Sequence, residues 1–384
     1  MRAYIGLPFA LFALLRCASA TVITGGNIVN QTWTPSGNPY VVQGDITVPA
    51  GSFLTVDAGT VVQFASTDDQ FSGLDSNRVE LTVKGTLTVN GTAANPVTFS
   101  AQSGSGAAVW YGIVVDAAAT AATITHAAIA NALFGVRSSS ATALNLSAST
   151  ITASTTGVEL LAGSPTITGL AISGCTLGIE ASAGTPTLDA IALDGNTTGV
   201  QVLADASATI SNAIITNSSG IAVSYDTNKS GVSSTVLLTQ STLDHNGIGV
   251  LVIAASASTT ASLTIANSII ANSTQQGVWL DNGGLGTASV SVGYSDVFGN
   301  APNYQGTAAG PGSISMDPLY ASASDLHLKP KSPCIDAGSP TDASDHDFDG
   351  NPRPLDGNEL NGVAYDMGAY EYSDVVLRNG FDLP

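Results

Sequence analysis

The residues best spaced to do chemistry stand near the C-terminus, in Asp345-His346-Asp347-Phe348-Asp349-Gly350-Asn351, with Asp356 twelfth in the count from Asp345. Oxygen-bearing side chains at positions 1, 3, 5 and 12, Gly at 6 and a carbonyl at 7 are the layout of a calcium loop. The segment departs from that layout in Pro352 and Pro354, in Asp for the bidentate Glu, and in having no flanking helical pattern. A structural Ca²⁺ held by Asp345, Asp347, Asp349, Asn351 and Asp356 is one reading. An Asp-rich turn held by backbone hydrogen bonds and Arg353 is the other.

Other groups invite different chemistry. Glu159 and Glu180 occupy equivalent positions one repeat apart, and two facing carboxylates about 5 to 9 Å apart are what glycoside hydrolysis needs. Their column neighbours are read as Arg137, Gln201, Ala222, Leu251 and Trp279, which build no wall, so solvated surface acids are the favoured reading. Tyr225, Asp226, Lys229, Trp279 and Asp281 fall in or beside three extended loops, where aromatic and polar side chains together suit stacking on sugar rings; inert loops of Ala, Ser, Thr and Gly are the favoured reading. A lyase acting on uronates needs a basic group and a stabilising cation. Between Thr21 and Ser315 the only Lys and Arg residues are Arg78, Lys84, Arg137 and Lys229, widely separated along the chain. His245 follows Leu243-Asp244 with no second His or Cys in its pattern, and reads as a surface histidine at a turn.

The elements that must carry these groups come from a repeat. One aliphatic column runs Ile124, Leu146, Ile167, Leu188, Ile210, Leu238, Ile265, Val292, and a partner five residues on runs Ile129, Ile151, Ile172, Leu193, Ile215, Leu243, Ile270, Val297. A Gly followed by Val or Ile closes each unit at Gly135, Gly157, Gly178, Gly199, Gly220, Gly249 and Gly277. The period is roughly 21 residues and lengthens to roughly 28, inside the range of solenoids. The apolar runs are short, alternate with period two and are rich in Val, Ile and Thr, so the repeat is a β-coil and not a helix pair. Asn or Gly at Asn131, Gly174, Gly195, Asn217 and Asn272 predicts tight corners with positive φ. Stacked coils pair in parallel at about 4.8 Å, so ten to twelve coils give about 50 Å of rod.

Met1 to Ala20 combines Arg2, an apolar run and Ala18-Ser19-Ala20, the pattern of a signal peptide, and predicts a secreted or cell-surface protein with no transmembrane segment in the mature chain. Removing Arg2 and Arg16 leaves 8 cations against 29 acids, 8 − 29 = −21. Nucleic acid and anionic membrane are poor partners for such a surface. Residues 21–315 read as the β-helix, with Thr21 to about Tyr40 as an N-terminal cap. Residues 316–384 lose the period, hold 13 of the 29 acids, and read as a closing module docked on the last coil. Cys175 and Cys334 sit in apolar settings far apart, as separate buried thiols.

Val48-Pro49-Ala50-Gly51, Leu87-Thr88-Val89-Asn90-Gly91-Thr92 and Trp110-Tyr111-Gly112-Ile113 resemble the opening of secreted bacterial right-handed parallel β-helix repeat proteins, the pectate-lyase-like solenoids. Asp317-Pro318-Leu319-Tyr320, Ser332-Pro333-Cys334-Ile335-Asp336-Ala337-Gly338, Asp347-Phe348-Asp349-Gly350-Asn351-Pro352-Arg353 and Asp366-Met367-Gly368-Ala369-Tyr370-Glu371-Tyr372 resemble the module that closes such helices. The resemblance implies right-handed coiling and bacterial export, in a family where most members have no assigned activity. The Asp-Asp, Gly-His-Gly and Arg-Ile-Lys signatures of polygalacturonases of this fold are absent as a set.

Together these observations favour an exported, non-catalytic, all-β right-handed parallel β-helix with a surface-associated adhesion or glycan-binding role, its partner a polysaccharide or a cell-surface component. The alternative is a carbohydrate-active enzyme, a polysaccharide lyase or glycoside hydrolase.

Overall fold

The structure, a computed structural model, describes residues 20–141, 144–227, 233–254, 260–283, 287–356 and 362–373. The segment read as a signal peptide therefore lies, apart from Ala20, outside the described residues, as does Lys229.

Period-two runs fold as the pattern dictates: in Thr166–Thr168 the Ile167 side chain is fully buried while Thr166 is exposed. The chain visits three parallel sheets in turn. The first has twelve strands, from Thr21–Ile23 to Asp296–Phe298, the second twelve, from Gly26–Asn27 to Tyr304–Gln305, and the third eleven, from Gln31–Trp33 to Thr287–Gly293. This is a right-handed parallel β-helix.

Both aliphatic columns are ladders. Ile124 to Val292 stack in register on the third sheet, and Ile129 to Val297 on the first. No member is more than 2% exposed. Each such burial is worth about 1.5–3 kcal/mol, which is why the columns hold aliphatic residues throughout. Toward the N-terminal end the core widens to admit the stacked rings of Phe64 and Trp110, 3.9 Å between centroids.

The glycine column holds with one correction. A Cβ on Gly157 would lie 2.5 Å from the Gly178 carbonyl oxygen, so the coils approach too closely there for a side chain. Gly220 does not belong to this column: Thr198 pairs with Ile221 and Val200 with Val223, so the equivalent of Gly199 is Ala222. The preceding corner is one residue longer, and this shifts every later position in that coil.

Corners after the first sheet adopt the expected positive φ at Asn131 (66°), Gly174 (64°), Gly195 (63°), Asn217 (55°) and Asn272 (56°), and His245 (54°) occupies the same place. The next residue satisfies backbone groups of neighbouring coils: Asn196 accepts from the Cys175 amide at 2.9 Å and donates to the Ile172 carbonyl at 3.1 Å. Asn246 and Asn300 do the same for later coils. Cys175 fills an equivalent corner position. It and Cys334 are buried free thiols.

Two expectations about the ends change. Thr21–Ile23 already pairs with Tyr40–Val42 and Gly26–Asn27 with Ile46–Val48, so the N-terminal segment is itself the first coil. The closing module touches the last coil through Met316 and Cys334, both on Asp296, but it also runs back along the rod. Asn267 exchanges hydrogen bonds with Ser339 at 2.7 and 2.8 Å, Thr239 donates to the Asp342 carbonyl at 2.8 Å, and Asn212 donates to Ser344 at 3.1 Å. Asn212 and Asn267 are corner residues with positive φ, and together with the strand-end Thr239 they form a rail for the module. Beneath it, Ile269 and Ala271 pack with Leu328, Cys334, Ile335 and Met367.

Candidate functional site

Where the closing module arches over the first sheet it leaves a cleft of about 530 Å³. The rod wall is built by the repeat itself: Asp194, Thr216 and Asp244 follow the buried Leu193, Ile215 and Leu243, so strand alternation turns them outward in one paired column. Asp194 accepts from the Thr216 hydroxyl at 2.8 Å and the Asn217 amide at 2.7 Å, both on Oδ1. Asp244 accepts from Asn272 at 2.8 Å and pairs with His245 Nδ1. The Asp244 side chain is 3% exposed and that of His245 56%, so the imidazole is the part that meets the cleft.

The opposite wall comes from the short antiparallel hairpin of Tyr320–Ser322 and Asp325–Leu328, and from Tyr370. His327 contacts Asp325 through Nδ1 at 2.6 Å and Asp349 through Nε2 at 3.0 Å. Burial works against its charge, yet the two carboxylates hold its pKa above the ordinary value. Its ring stacks on Tyr370 at 3.7 Å, and Phe348 meets Tyr370 edge-on at 5.7 Å. Burial, then the charges of Asp349, Asp325 and Asp347, push the Tyr370 hydroxyl up to about 12, so it stays a neutral donor. The cleft thus offers hydroxyls, amides and carboxylates around an aromatic ring held from two sides.

Two family models match the chain: a right-handed β-helix region over residues 111–290 and a pectate-lyase-like β-helix domain over residues 26–146. The chain is a pectate-lyase-like right-handed β-helix protein. Among solved structures, the periplasmic alginate epimerase AlgG is similar at 9% identity with a TM-score of 0.46, covering 77% of this chain and 76% of that one. A point mutant of the same epimerase gives 10% identity and a TM-score of 0.45. No curated protein matches.

Several residues singled out in this β-helix protein fall elsewhere. Glu159 and Glu180 are direct neighbours on the second sheet, in the column Arg137, Glu159, Glu180, Gln201, Ser224, Leu251, Trp279, with Ser224 where the spacing had placed Ala222. Arg137 pairs with Glu159, and Glu180 accepts from Ser182 at 2.6 Å, so the two carboxylates are engaged separately. Tyr225 is a correction: it pairs with Val202 and Val252 at an inward position, is fully buried, and shares a hydrogen bond with Ser234. It cannot stack on a ligand. Trp279 is half-buried on the outer face, and Asp226 and Asp281 share one column two coils apart with Ile253 between them.

The Asp345 loop does not gather its carboxylates. Asp345 turns to His346 Nδ1 at 2.7 Å, and Asp349 turns to His327. Asp347 is 1% exposed and accepts from the Asn351 amide at 2.7 Å and the Glu371 amide at 3.1 Å. Arg353 clamps the loop through the His346 carbonyl at 3.2 Å. Asp356 lies beyond Pro354, and among the described residues no group of three or more His, Cys, Asp or Glu is arranged to hold a metal ion.

Sequence reasoning passed over Asp194, Asn217, Asp325, His327 and Tyr370. A signal for the rod wall was present, since Asp194 and Asp244 share one repeat position and His245 stands where most other coils carry Asn or Gly. The hairpin and Tyr370 share no period with the rod, and only docking brings them to it.

Proposed function

We propose that this exported β-helix protein binds glycans without transforming them, in the cleft between the first sheet and the closing module. What carries the reading is the combination of a preorganised Tyr370 ring with a rod wall of Asp194, Thr216, Asn217 and His245. Sugars present apolar faces and a rim of hydroxyls, and such a lining answers both. Export rests on the N-terminal pattern; among the described residues no helix is long and apolar enough to cross a membrane.

The test is a glycan panel probed with the mature chain, followed by calorimetry on the hits. Signal should fall at least tenfold in Tyr370→Ala and in Asn217→Ala, with Trp279→Ala unchanged. Retention in both cleft variants together with loss in Trp279→Ala would move the site to the long-loop corner.

One observation favours hydrolysis as a second reading. Asp194 and Asp244 lie two strand spacings apart, about 10 Å, near the outer end of the separation used by inverting glycosidases. Asp244 is fully occupied by His245 and Asn272, however, which leaves it poorly placed to exchange protons with a substrate. Release of reducing sugar that is abolished in Asp244→Asn would establish this alternative.

A further inference from the structure

The charge of the cleft narrows the ligand. Of the three carboxylates on its walls, Asp244 has both oxygens engaged. Asp194 is exposed, and both of its hydrogen bonds fall on Oδ1, which leaves Oδ2 for an incoming donor. Across the cleft, Asp325 is 51% exposed at its side chain and uses Oδ1 for both the amide and the imidazole of His327, so its Oδ2 is open as well. Each wall therefore offers one free carboxylate oxygen, with Tyr370 beside them.

Nothing in the lining offsets this. Among the described residues, no Lys or Arg lines the cleft. His245 is committed to Asp244, and His327 is shared between Asp325 and Asp349, so each imidazolium that forms is already matched. The chain as a whole carries −19. A uronate would meet repulsion at long range and unpaired acids at contact. An ammonium would gain charge-assisted hydrogen bonds to Oδ2 of Asp194 or Asp325, with the neutral Tyr370 side chain also in the lining.

Resting on the glycan-binding reading above, we propose that the cleft selects saccharides bearing free amino groups, oligomers or polymers of amino sugars, over uronates and over neutral or N-acetylated glycans. Its two walls would read one ammonium each along a bound chain.

Calorimetry with the full mature chain at pH 6 and low salt, using glucosamine, N-acetylglucosamine and galacturonate tetramers and tetralysine as probes, tests this. The glucosamine tetramer should bind at least tenfold more tightly than the acetylated one, and the galacturonate tetramer should give no heat. Asp194→Asn, whose amide oxygen can still accept from Thr216 and Asn217, should cut glucosamine binding about tenfold, to the level of the acetylated tetramer. Asp57→Asn, near the other end of the rod, should leave both unchanged. Equal or tighter binding of the acetylated or galacturonate tetramer would overturn the amino-sugar assignment while leaving glycan binding intact. Equal loss in Asp57→Asn, or tetralysine binding as tightly, would overturn it in favour of diffuse attraction to an acidic rod. Absence of heat with every saccharide would take down the glycan-binding reading as well.

Discussion

Arg353 and Glu371 form an ion pair sealed from solvent: Nη1 to Oε1 is 2.8 Å and neither side chain has any exposed surface. The guanidinium also donates to the carbonyls of His346 and Gly368, and Glu371 accepts from the amides of Leu355 and Asp366. One buried pair therefore ties together three loops of a module in which, among the described residues, one small hairpin is the regular structure.

Removing one partner of such a pair leaves an uncompensated buried charge and costs about 3–5 kcal/mol. Arg353→Met is expected to loosen the closing module while the rod persists. Trypsin cleavage after Lys331 should accelerate in the variant, and far-ultraviolet dichroism should still report the β-coil. Unchanged cleavage rates would show that the module is held mainly by its contacts with the rod.

Asp296 carries a pH dependence of known sign. Its carboxyl is fully buried on the last coil, with Met316 donating to Oδ1 and the Cys334 thiol 3.4 Å from Oδ2. Burial raises its pKa from 3.8 to about 6. Between these values the unfolded chain releases the proton while the folded one keeps it, so this group lowers stability as pH rises from 3.8 to 6, by about 3 kcal/mol, and adds nothing further above. Asp296→Asn should gain on the wild type by that amount between pH 4 and pH 7 in urea unfolding. A gap that does not change with pH would show that Asp296 titrates normally.

Ala190 sits at φ 50° in the corner between the third and first sheets, where other coils place Gly169 (61°) and Asn212 (49°). A left-handed backbone costs a residue with a Cβ about 1–2 kcal/mol, and glycine returns about 0.5–1 of that through unfolded-state entropy. Ala190→Gly should be neutral to stabilising by up to about 1 kcal/mol, the reverse of the usual sign. Scanning calorimetry would register the change as a small rise in Tm.

Asp347 tests the calcium reading. In its present bonds the carboxylate serves as the acceptor for two backbone amides, so Asp347→Ala should cost about 1–3 kcal/mol through unsatisfied buried donors. That loss should be the same in EGTA and in millimolar Ca²⁺, and the wild-type Tm should not move between the two. An upward shift with Ca²⁺ that disappears in Asp347→Ala would mean that the loop closes around an ion.

Much of the rod was legible in the sequence because its forces are local and repeated. Ile167 and Ile172 are buried for the same reason as every member of their columns, and Asn217 takes positive φ because its corner is tight. Reading by period failed where the period slipped: one extra residue in the corner before Ile221 displaced Gly220 and Ala222 from their assigned columns. Tyr225 was misplaced for a related reason, since lying near a loop was taken as exposure when strand alternation pointed it inward.

The sequence by itself determined the coil, the two buried ladders, the polar corners and an acidic exterior, because each follows from spacing along one short segment. Only the tertiary structure decided the cleft. Asp194 and Asp325 are 131 positions apart and share no repeat, and they face each other because the closing module folds back along the corner residues Asn212, Gln240 and Asn267. It also set the partners of the Asp345 loop, whose spacing suits an ion and whose carboxylates turn to His346, His327 and the Glu371 amide. Those partners are set by docking and by the buried Arg353 pair, and no local pattern encodes them.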